Sequence, residues 1–263
     1  MQTVRSSTIT LTPEQVTNFI ADGYVLVPKA FQRETAAGLL PHVWARLTED
    51  PNDPSTWKNS YAQIEDVIYD GPVKDIFTAR FCSSIDELVG HGRWSTRHGF
   101  GWVILRFPGF APPNWEPPTS GWHVDGIDYQ HHLTSPEIGL VGIEFLTDIK
   151  PGGGGPAIRV GSHKAVARIL QKFEPQGVTY RQLRAIVEEL KGFPVVEVTG
   201  DAGDVVWLHP HVIHARSPNV QDTIRVAANR SIVLNEPLNL ERERQEDHSP
   251  VELAILEALK DSF

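Results

Sequence analysis

Residues 204–225 read Asp-Val-Val-Trp-Leu-His-Pro-His-Val-Ile-His-Ala-Arg-Ser-Pro-Asn-Val-Gln-Asp-Thr-Ile-Arg, and this pattern restricts the folds open to the chain. Val205 and Trp207 alternate with Val206 and Leu208, so both faces of a strand are apolar, as in a sheet interior. Pro210 interrupts that strand, Ser217-Pro218-Asn219 marks a turn, and the β-branched run Thr223-Ile224-Arg225-Val226 begins another strand. His214 therefore stands between two strands, where a side chain can be aimed with little slack. Far upstream, Trp122-His123-Val124-Asp125 follows a proline-rich loop and offers a second histidine with a carboxylate two residues on. On a regular strand, His123 and Asp125 share one side.

Two imidazoles and one carboxylate on one face of a metal leave the opposite face open, which is the donor set of a non-haem Fe(II) oxygenase. His123, Asp125 and His214 are the candidate ligands. In that role each imidazole is neutral and the carboxylate ionised. His209 and His211 lie close enough to His214 to compete for the third position. An H-x-D pair alone is a weak pattern in a chain with eleven histidines.

The rest of the chain supplies a helical first part and a β second part. Thr12-Pro13-Glu14-Gln15 predicts a capped helix closed by Gly23, followed by a strand at Tyr24 to Val27. A helix from Glu34 to Leu47 is expected to kink or split at Pro41, and residues 49–59 read as a loop. Short helical pieces are predicted at Val73 to Arg80 and, capped by Ser84, at Ile85 to Val89. Strands follow at Trp102 to Phe107, Ile138 to Leu146, Ala157 to Val160, Val195 to Val198, Asp204 to Leu208 and Thr223 to Leu234. Between them lie an amphipathic piece after Gly161-Ser-His163 and a surface helix at Tyr180 to Leu190. Ser249-Pro250-Val251-Glu252 opens a terminal helix. The expected fold is mainly β with flanking helices, a jelly-roll or cupin-like double-stranded β-helix core, in one domain over residues 1–263. Residues 1–90 make its mostly helical part and residues 91–240 its β core.

Composition excludes more than it identifies. With 40% apolar and 22% charged residues, 263 residues are ample for a buried core, and a net charge of −9 argues against a general binder of nucleic acid or anionic membrane. The single cysteine, Cys82, forms no intrachain disulfide, so a reducing cytoplasm is the natural setting. Residues 1–10 lack a signal-peptide core, and no stretch reaches the ~20 apolar residues of a membrane span. The four glycines at 152–155 lack the Lys-Ser/Thr of a P-loop and the spacing of a dinucleotide fingerprint, and read as a tight turn.

The wider pattern resembles the phytanoyl-CoA dioxygenase family of Fe(II)/2-oxoglutarate oxygenases. Carrying the resemblance are Gly121-Trp-His-Val-Asp125, Pro151-Gly-Gly-Gly-Gly155 with Gly161-Ser-His163, and Gly203-Asp204 through His214, Asn219 and Arg225. Asn219 and Arg225 fall five and eleven positions after His214, the family's offsets, which neither His209 nor His211 meets. Leu11-Thr-Pro-Glu-Gln with Asp22-Gly-Tyr-Val-Leu-Val-Pro28 resembles the family's opening, so the likeness runs from about residue 11 to 234.

The resemblance implies that His123, Asp125 and His214 bind iron and that Arg225 grips the distal carboxylate of 2-oxoglutarate. A planar, permanently charged guanidinium suits that task. Many relatives carry Ser two places after the distal histidine, whereas this chain has Arg216 there and Ser217 next. Either Ser217 substitutes, Arg216 adds charge, or Arg216 points outward. A ligand carboxylate, in place of the small residue of related halogenases, favours hydroxylation or another oxidation. The implied reaction consumes O2, releases succinate and CO2, and oxidises a carbon of a small molecule, plausibly in specialised biosynthesis. The branch among hydroxylation, desaturation, cyclisation and epimerisation is not fixed.

Phe107, Phe110, Trp115 and Trp122 cluster around the proline-rich loop, and Trp102 and Trp207 lie on strands expected to flank the site. They are candidates for a substrate wall, with core packing as the competing role for Trp207. Arg106, His131 and His132 are candidate polar contacts to 2-oxoglutarate or substrate. Two other classes compete: a Zn(II) cupin-like isomerase or hydrolase, which needs no arginine at 225, and a non-catalytic binder of a small molecule or partner.

Overall fold

The computed structural model describes residues 10–95 and 99–260. The N-terminal stretch assessed for a signal core lies, up to Ile9, outside the described residues.

The chain opens with α1 (Pro13–Asp22), capped as its sequence predicts. Thr12 Oγ1 accepts the Gln15 N–H at 3.1 Å, and Gln15 Oε1 accepts the Thr12 N–H at 2.9 Å. Gly23 ends the helix at φ 86°, and a Cβ there would sit 2.5 Å from His163 Nδ1, so both the turn and the close approach need glycine. β1 (Tyr24–Val27) leads to α2 (Arg33–Trp44). Pro41 does not split α2, because it falls in the last turn, one turn before the helix stops at Trp44.

β2 (Tyr61–Ile64) is a short strand that the sequence pattern did not reveal. The two helical pieces expected there are divided differently, as a short 3-10 turn at Val73–Ile76 and one continuous helix, α3 (Ala79–Val89). Thr78 caps it by accepting the Phe81 N–H, while Ser84 lies inside the helix and donates to the Phe81 carbonyl.

The β part comprises β3 (Gly101–Arg106), β4 (Gln130–His131), β5 (Leu140–Phe145), β6 (Pro156–Arg159), β7 (Val178–Thr179), β8 (Val195–Glu197), β9 (Val205–Leu208), β10 (His214–Arg216) and β11 (Arg225–Ile232). Helices α4 (Ser162–Phe173) and α5 (Tyr180–Glu189) interrupt it, and α6 (Pro250–Lys260) follows it. The large sheet has the order β1-β9-β5-β11-β3-β2, and the small sheet β10-β6-β8, with every pair antiparallel.

Alternation along the strands builds two cores. Val206, Leu208, Val141, Ile143 and Ala227 of the large sheet pack against Ile158 and Val196 of the small one. The other face of the large sheet, with Val205, Trp207, Leu140, Leu105, Val226 and Ala228, joins the apolar faces of α1, α2 and α3. This mostly β, two-sheet core with helices outside is the expected jelly-roll class. Trp102 lies on β3, as expected, but as the extra residue of a bulge. Val103 faces Ala228 while Gly101 faces Asn229, and Trp102 stands exposed at φ 50°.

Candidate metal centre

β10 presents His214 toward the space between the sheets, because His214 pairs with Ile158, a residue of the inter-sheet core. On its other edge β10 meets the segment after the proline-rich loop. The His123 N–H donates to the His214 carbonyl at 3.0 Å, and the His214 N–H to the His123 carbonyl at 3.0 Å. Residues paired in this way project side chains to the same face, and the two imidazole centres lie 4.4 Å apart. Asp125, two residues on, follows to that side, while Trp122 and Val124 turn to the outer core. The His123 segment is thus a single bridge on the small sheet.

Both imidazoles are oriented by their other nitrogen. His123 Nδ1 lies 2.9 Å from the Gly121 carbonyl and His214 Nδ1 lies 3.3 Å from the Val212 carbonyl. Those contacts place the N–H on Nδ1 and leave each Nε2 lone pair directed at Asp125. Asp125 Oδ1 lies 3.3 Å from His123 Nε2 and 3.5 Å from His214 Nε2. His214 Nε2 is buried and makes no hydrogen bond. Burial opposes ionisation of Asp125, but the close approach of the His214 and His123 imidazoles outweighs it and holds the carboxyl well below its usual range. Burial likewise opposes the His214 imidazolium, and Asp125 raises that imidazole above its ordinary value.

These three side chains offer donor atoms all within 4.8 Å of one another, so they could hold one metal ion. Bonds of about 2.1 Å meeting at right angles would separate neighbouring donors by about 3 Å, close to the spacings observed. An orphaned buried nitrogen and an ionised carboxylate make a cation the natural occupant.

The arginines gather at one end of the same space. Arg225, Arg106 and Tyr61 lie directly opposite one another on β11, β3 and β2. Arg225 is 5% exposed, its Nη1 donates to the Ile104 carbonyl at 3.1 Å, and its Nε is buried without a partner. Burial and the charge of Arg106 push Arg225 down to about 9. Arg216 is exposed and stacks over Tyr61 at 4.2 Å. Ser217 turns the other way, donating to the Gly155 carbonyl at 2.5 Å beside Glu197.

The glycine run makes a turn whose occupant is internal. The N–H groups of Gly152, Gly154 and Gly155 donate to the Glu197 carboxylate at 2.6, 2.9 and 2.9 Å. A Cβ on Gly155 would lie 2.1 Å from the Val198 carbonyl, so a side chain cannot be accommodated. Glu197 was not apparent from sequence because its partner is backbone.

The aromatic candidates divide. Trp207 points away from the inter-sheet space, donates from Nε1 to Ser84 Oγ at 2.8 Å and meets the Phe81 ring edge-on at 5.1 Å. Phe107 is buried and stacked on Trp57 at 5.1 Å. Trp122 is buried, with the Arg159 guanidinium 4.2 Å from its ring. Phe110 is exposed and Trp115 is half-buried with its Cβ near Gly152. His131, buried, lies 2.8 Å from the Gly126 carbonyl through Nε2 and stacks near Tyr129. His132 pairs instead with Glu174 at 3.0 Å. Tyr129, which sequence reasoning missed, is raised above its usual range by burial, with Glu137 and Asp125 adding to it. His209 and His211 sit apart from the three candidate ligands, in a buried group with His163 between α1 and α6.

A two-histidine, one-carboxylate set facing the interior of an antiparallel double sheet defines the class of cupin-like, non-haem iron oxygenases. Residues 11–227 match the family model for phytanoyl-CoA dioxygenase, and the chain belongs to that family. Members use Fe(II), 2-oxoglutarate and O2. No curated protein matches the chain significantly. Similar solved structures include HygX from Streptomyces hygroscopicus with nickel, 2-oxoglutarate and hygromycin B (16% identity, 86% of this chain and 88% of that one, TM-score 0.52). EctD from S. alaskensis with 2-oxoglutarate and 5-hydroxyectoine is similar at 16% identity, over 94% and 86% of the two chains, with TM-score 0.51. The epimerase SnoN with Fe3+, alpha ketoglutarate and nogalamycin RO matches at 17% identity, over 84% and 82%, with TM-score 0.50. Among the described residues, no helix is long and apolar enough to cross a membrane.

Proposed function

We propose that this protein is an Fe(II)- and 2-oxoglutarate-dependent dioxygenase that oxidises an unactivated carbon of a small molecule, with hydroxylation as the outcome. The observation that carries the reading is the convergence of His123 Nε2, Asp125 Oδ1 and His214 Nε2 in the space that also holds Arg225 and Arg106, whose buried Nε atoms have no partner. In balance, substrate C–H, O2 and 2-oxoglutarate give C–OH, succinate and CO2. The bound iron supplies the redox chemistry that activates O2. The chain's own residues do the rest. His123 and His214 present neutral Nε2 lone pairs, held by their Nδ1 contacts to backbone carbonyls. Asp125 contributes the negative charge and leaves the opposite side of the centre for the co-substrate and O2. Arg225 receives the distal carboxylate of 2-oxoglutarate in a buried setting, where a charge-assisted bond is strongest, and Arg106 adds a second positive charge beside it. The substrate side falls to the more open rim, with Phe110, Trp115 and His131 as its contacts.

The bound molecules of HygX, EctD and SnoN are small, and a small biosynthetic substrate is in keeping with them. We place the whole chain, helical part and β core together, in one catalytic unit. Succinate release from 2-oxoglutarate, dependent on added Fe(II) and lost in Asp125→Ala, tests the reaction class. Release that persists in Asp125→Ala would remove the proposed centre.

A further inference from the structure

The arginine row carries more positive charge than one co-substrate carboxylate can balance. Tyr61, Arg106 and Arg225 stand opposite one another on β2, β3 and β11, and Arg216 reaches the same row from β10 of the facing sheet. The Arg216 guanidinium lies 4.2 Å from the Tyr61 ring centre and donates to Gln63 Oε1 at 3.3 Å, while that of Arg106 lies 5.9 Å from the same ring centre. Exposure is graded along the row: Tyr61 and Arg216 are exposed, Arg106 is half-buried and Arg225 is buried.

Among the described residues, none of the three arginines forms an ion pair, although other arginines do so with Asp70, Glu144, Asp148, Asp247 or Glu252. Arg106 has a buried Nε with no acceptor, and its guanidinium donates to no protein group among these residues. The charge of Glu197 acts on Arg225, while its carboxylate accepts from Gly152, Gly154 and Gly155 and pairs with neither Arg106 nor Arg216. Burial and the charge of Arg216 push Arg106 down to about 10, a sign of like charges held together. Uncompensated, partly buried cations in a protein of net charge −9 call for anions from outside. The distal carboxylate of 2-oxoglutarate supplies one negative charge, at the buried end.

We propose that Arg216 and Arg106, over the Tyr61 ring, form a second anion site that binds a carboxylate, phosphate or sulfate group of the primary substrate beside the bound 2-oxoglutarate. This rests on the reading of Arg225 as the 2-oxoglutarate arginine. Guanidinium edges match oxyanions in bidentate fashion, and the stacked ring limits the freedom of Arg216. Substrates bearing such a group are therefore preferred over neutral analogues.

The experiment uses inorganic sulfate as probe, on full-length protein loaded anaerobically with Fe(II) and saturating 2-oxoglutarate, at constant ionic strength set with chloride. Calorimetry reads sulfate binding, and the visible charge-transfer band reads the retained 2-oxoglutarate. The expected result is saturable sulfate binding with the band intact, weakened at least tenfold in Arg216→Gln and largely restored in Arg216→Lys. Sulfate that displaces 2-oxoglutarate, binds nowhere, or binds Arg216→Gln as tightly as the wild type overturns the proposal. The wild-type titration decides the first two outcomes whatever the variants do. Failure of the underlying reading looks different, since no band then forms before sulfate is added.

Discussion

His123 and His214 are joined by a reciprocal pair of backbone hydrogen bonds, each 3.0 Å long, which holds two residues far apart in sequence with their imidazole centres 4.4 Å apart. The proline-rich loop therefore delivers the candidate ligand pair onto the edge of the small sheet, and the candidate metal position is prepared by backbone rather than by side-chain search. Preorganisation of this kind reduces the ordering cost of binding.

A divalent metal that binds the folded state alone should stabilise it. At a hundredfold excess over Kd the gain is about 2.7 kcal/mol, a rise of several degrees in Tm. Scanning calorimetry with and without Ni(II) should show this rise in the wild type and lose it in His123→Ala and His214→Ala. An equal rise in all three would mean that the ion binds elsewhere.

Arg225→Ala should raise the 2-oxoglutarate concentration needed for half-saturation by at least about tenfold, given ~1.5–3 kcal/mol for a hydrogen bond to a charged group. Arg225→Lys should recover part of the loss, because charge without the planar fork is a poorer match. Initial rates of succinate release against 2-oxoglutarate concentration measure both, and unchanged half-saturation in Arg225→Ala would contradict the assignment.

Trp207→Phe should reduce stability by about 1–2 kcal/mol, through loss of the hydrogen bond to Ser84, while 2-oxoglutarate binding stays as in the wild type. Trp207 faces the helices, so stability and binding separate. Urea unfolding with an unchanged m-value, beside a 2-oxoglutarate titration, checks it, and a binding defect without a stability loss would return Trp207 to the site.

Acid should destabilise the fold before its carboxylates titrate. Burial lowers His163 to about 4 and His211 to about 3, against an ordinary value of 6.5, and lowers His209 well below that ordinary value too. An imidazole depressed in the folded state contributes its full stability above the unfolded value. That contribution is lost as pH falls from 6.5 toward the folded value, because the unfolded chain takes up the proton first. For His163 the whole loss is on the order of 3 kcal/mol. The burial-opposed but strongly paired Glu252, held at about 2, starts to add its own loss only below its ordinary 4.5. Urea unfolding at pH 7 and pH 5 isolates the histidines, and a His163→Gln variant should show a shallower decline. A flat profile between those values would show that the cluster takes up its protons without strain.

Legibility in the sequence followed the range of the interactions. The capping boxes at Thr12 and Ser249, the alternation of β9 and the β-branched run from Thr223 are local signals, and the strands and helices they predict are present. The donor types of His123, Asp125 and His214 suggest one metal centre, but only the resemblance selects His214 over His209 and His211, since nothing local says which distant segments meet. Of the aromatic candidates, Phe107, Trp122 and Trp207 pack in the core, because a tryptophan beside a candidate ligand is as readily core and alternation sends Trp122 outward when His123 faces in. Glu197 and Tyr61 were invisible because their roles depend on backbone N–H groups and on an arginine from the opposite sheet.

The most direct test is an anaerobic titration of metal-free protein with Fe(II) and 2-oxoglutarate, followed in the visible range. The iron assignment predicts a weak charge-transfer band that saturates near one equivalent of iron and is absent in His214→Ala. Folded, iron-loaded protein that gives no band, or a His214→Ala variant that gives the wild-type band, would contradict it.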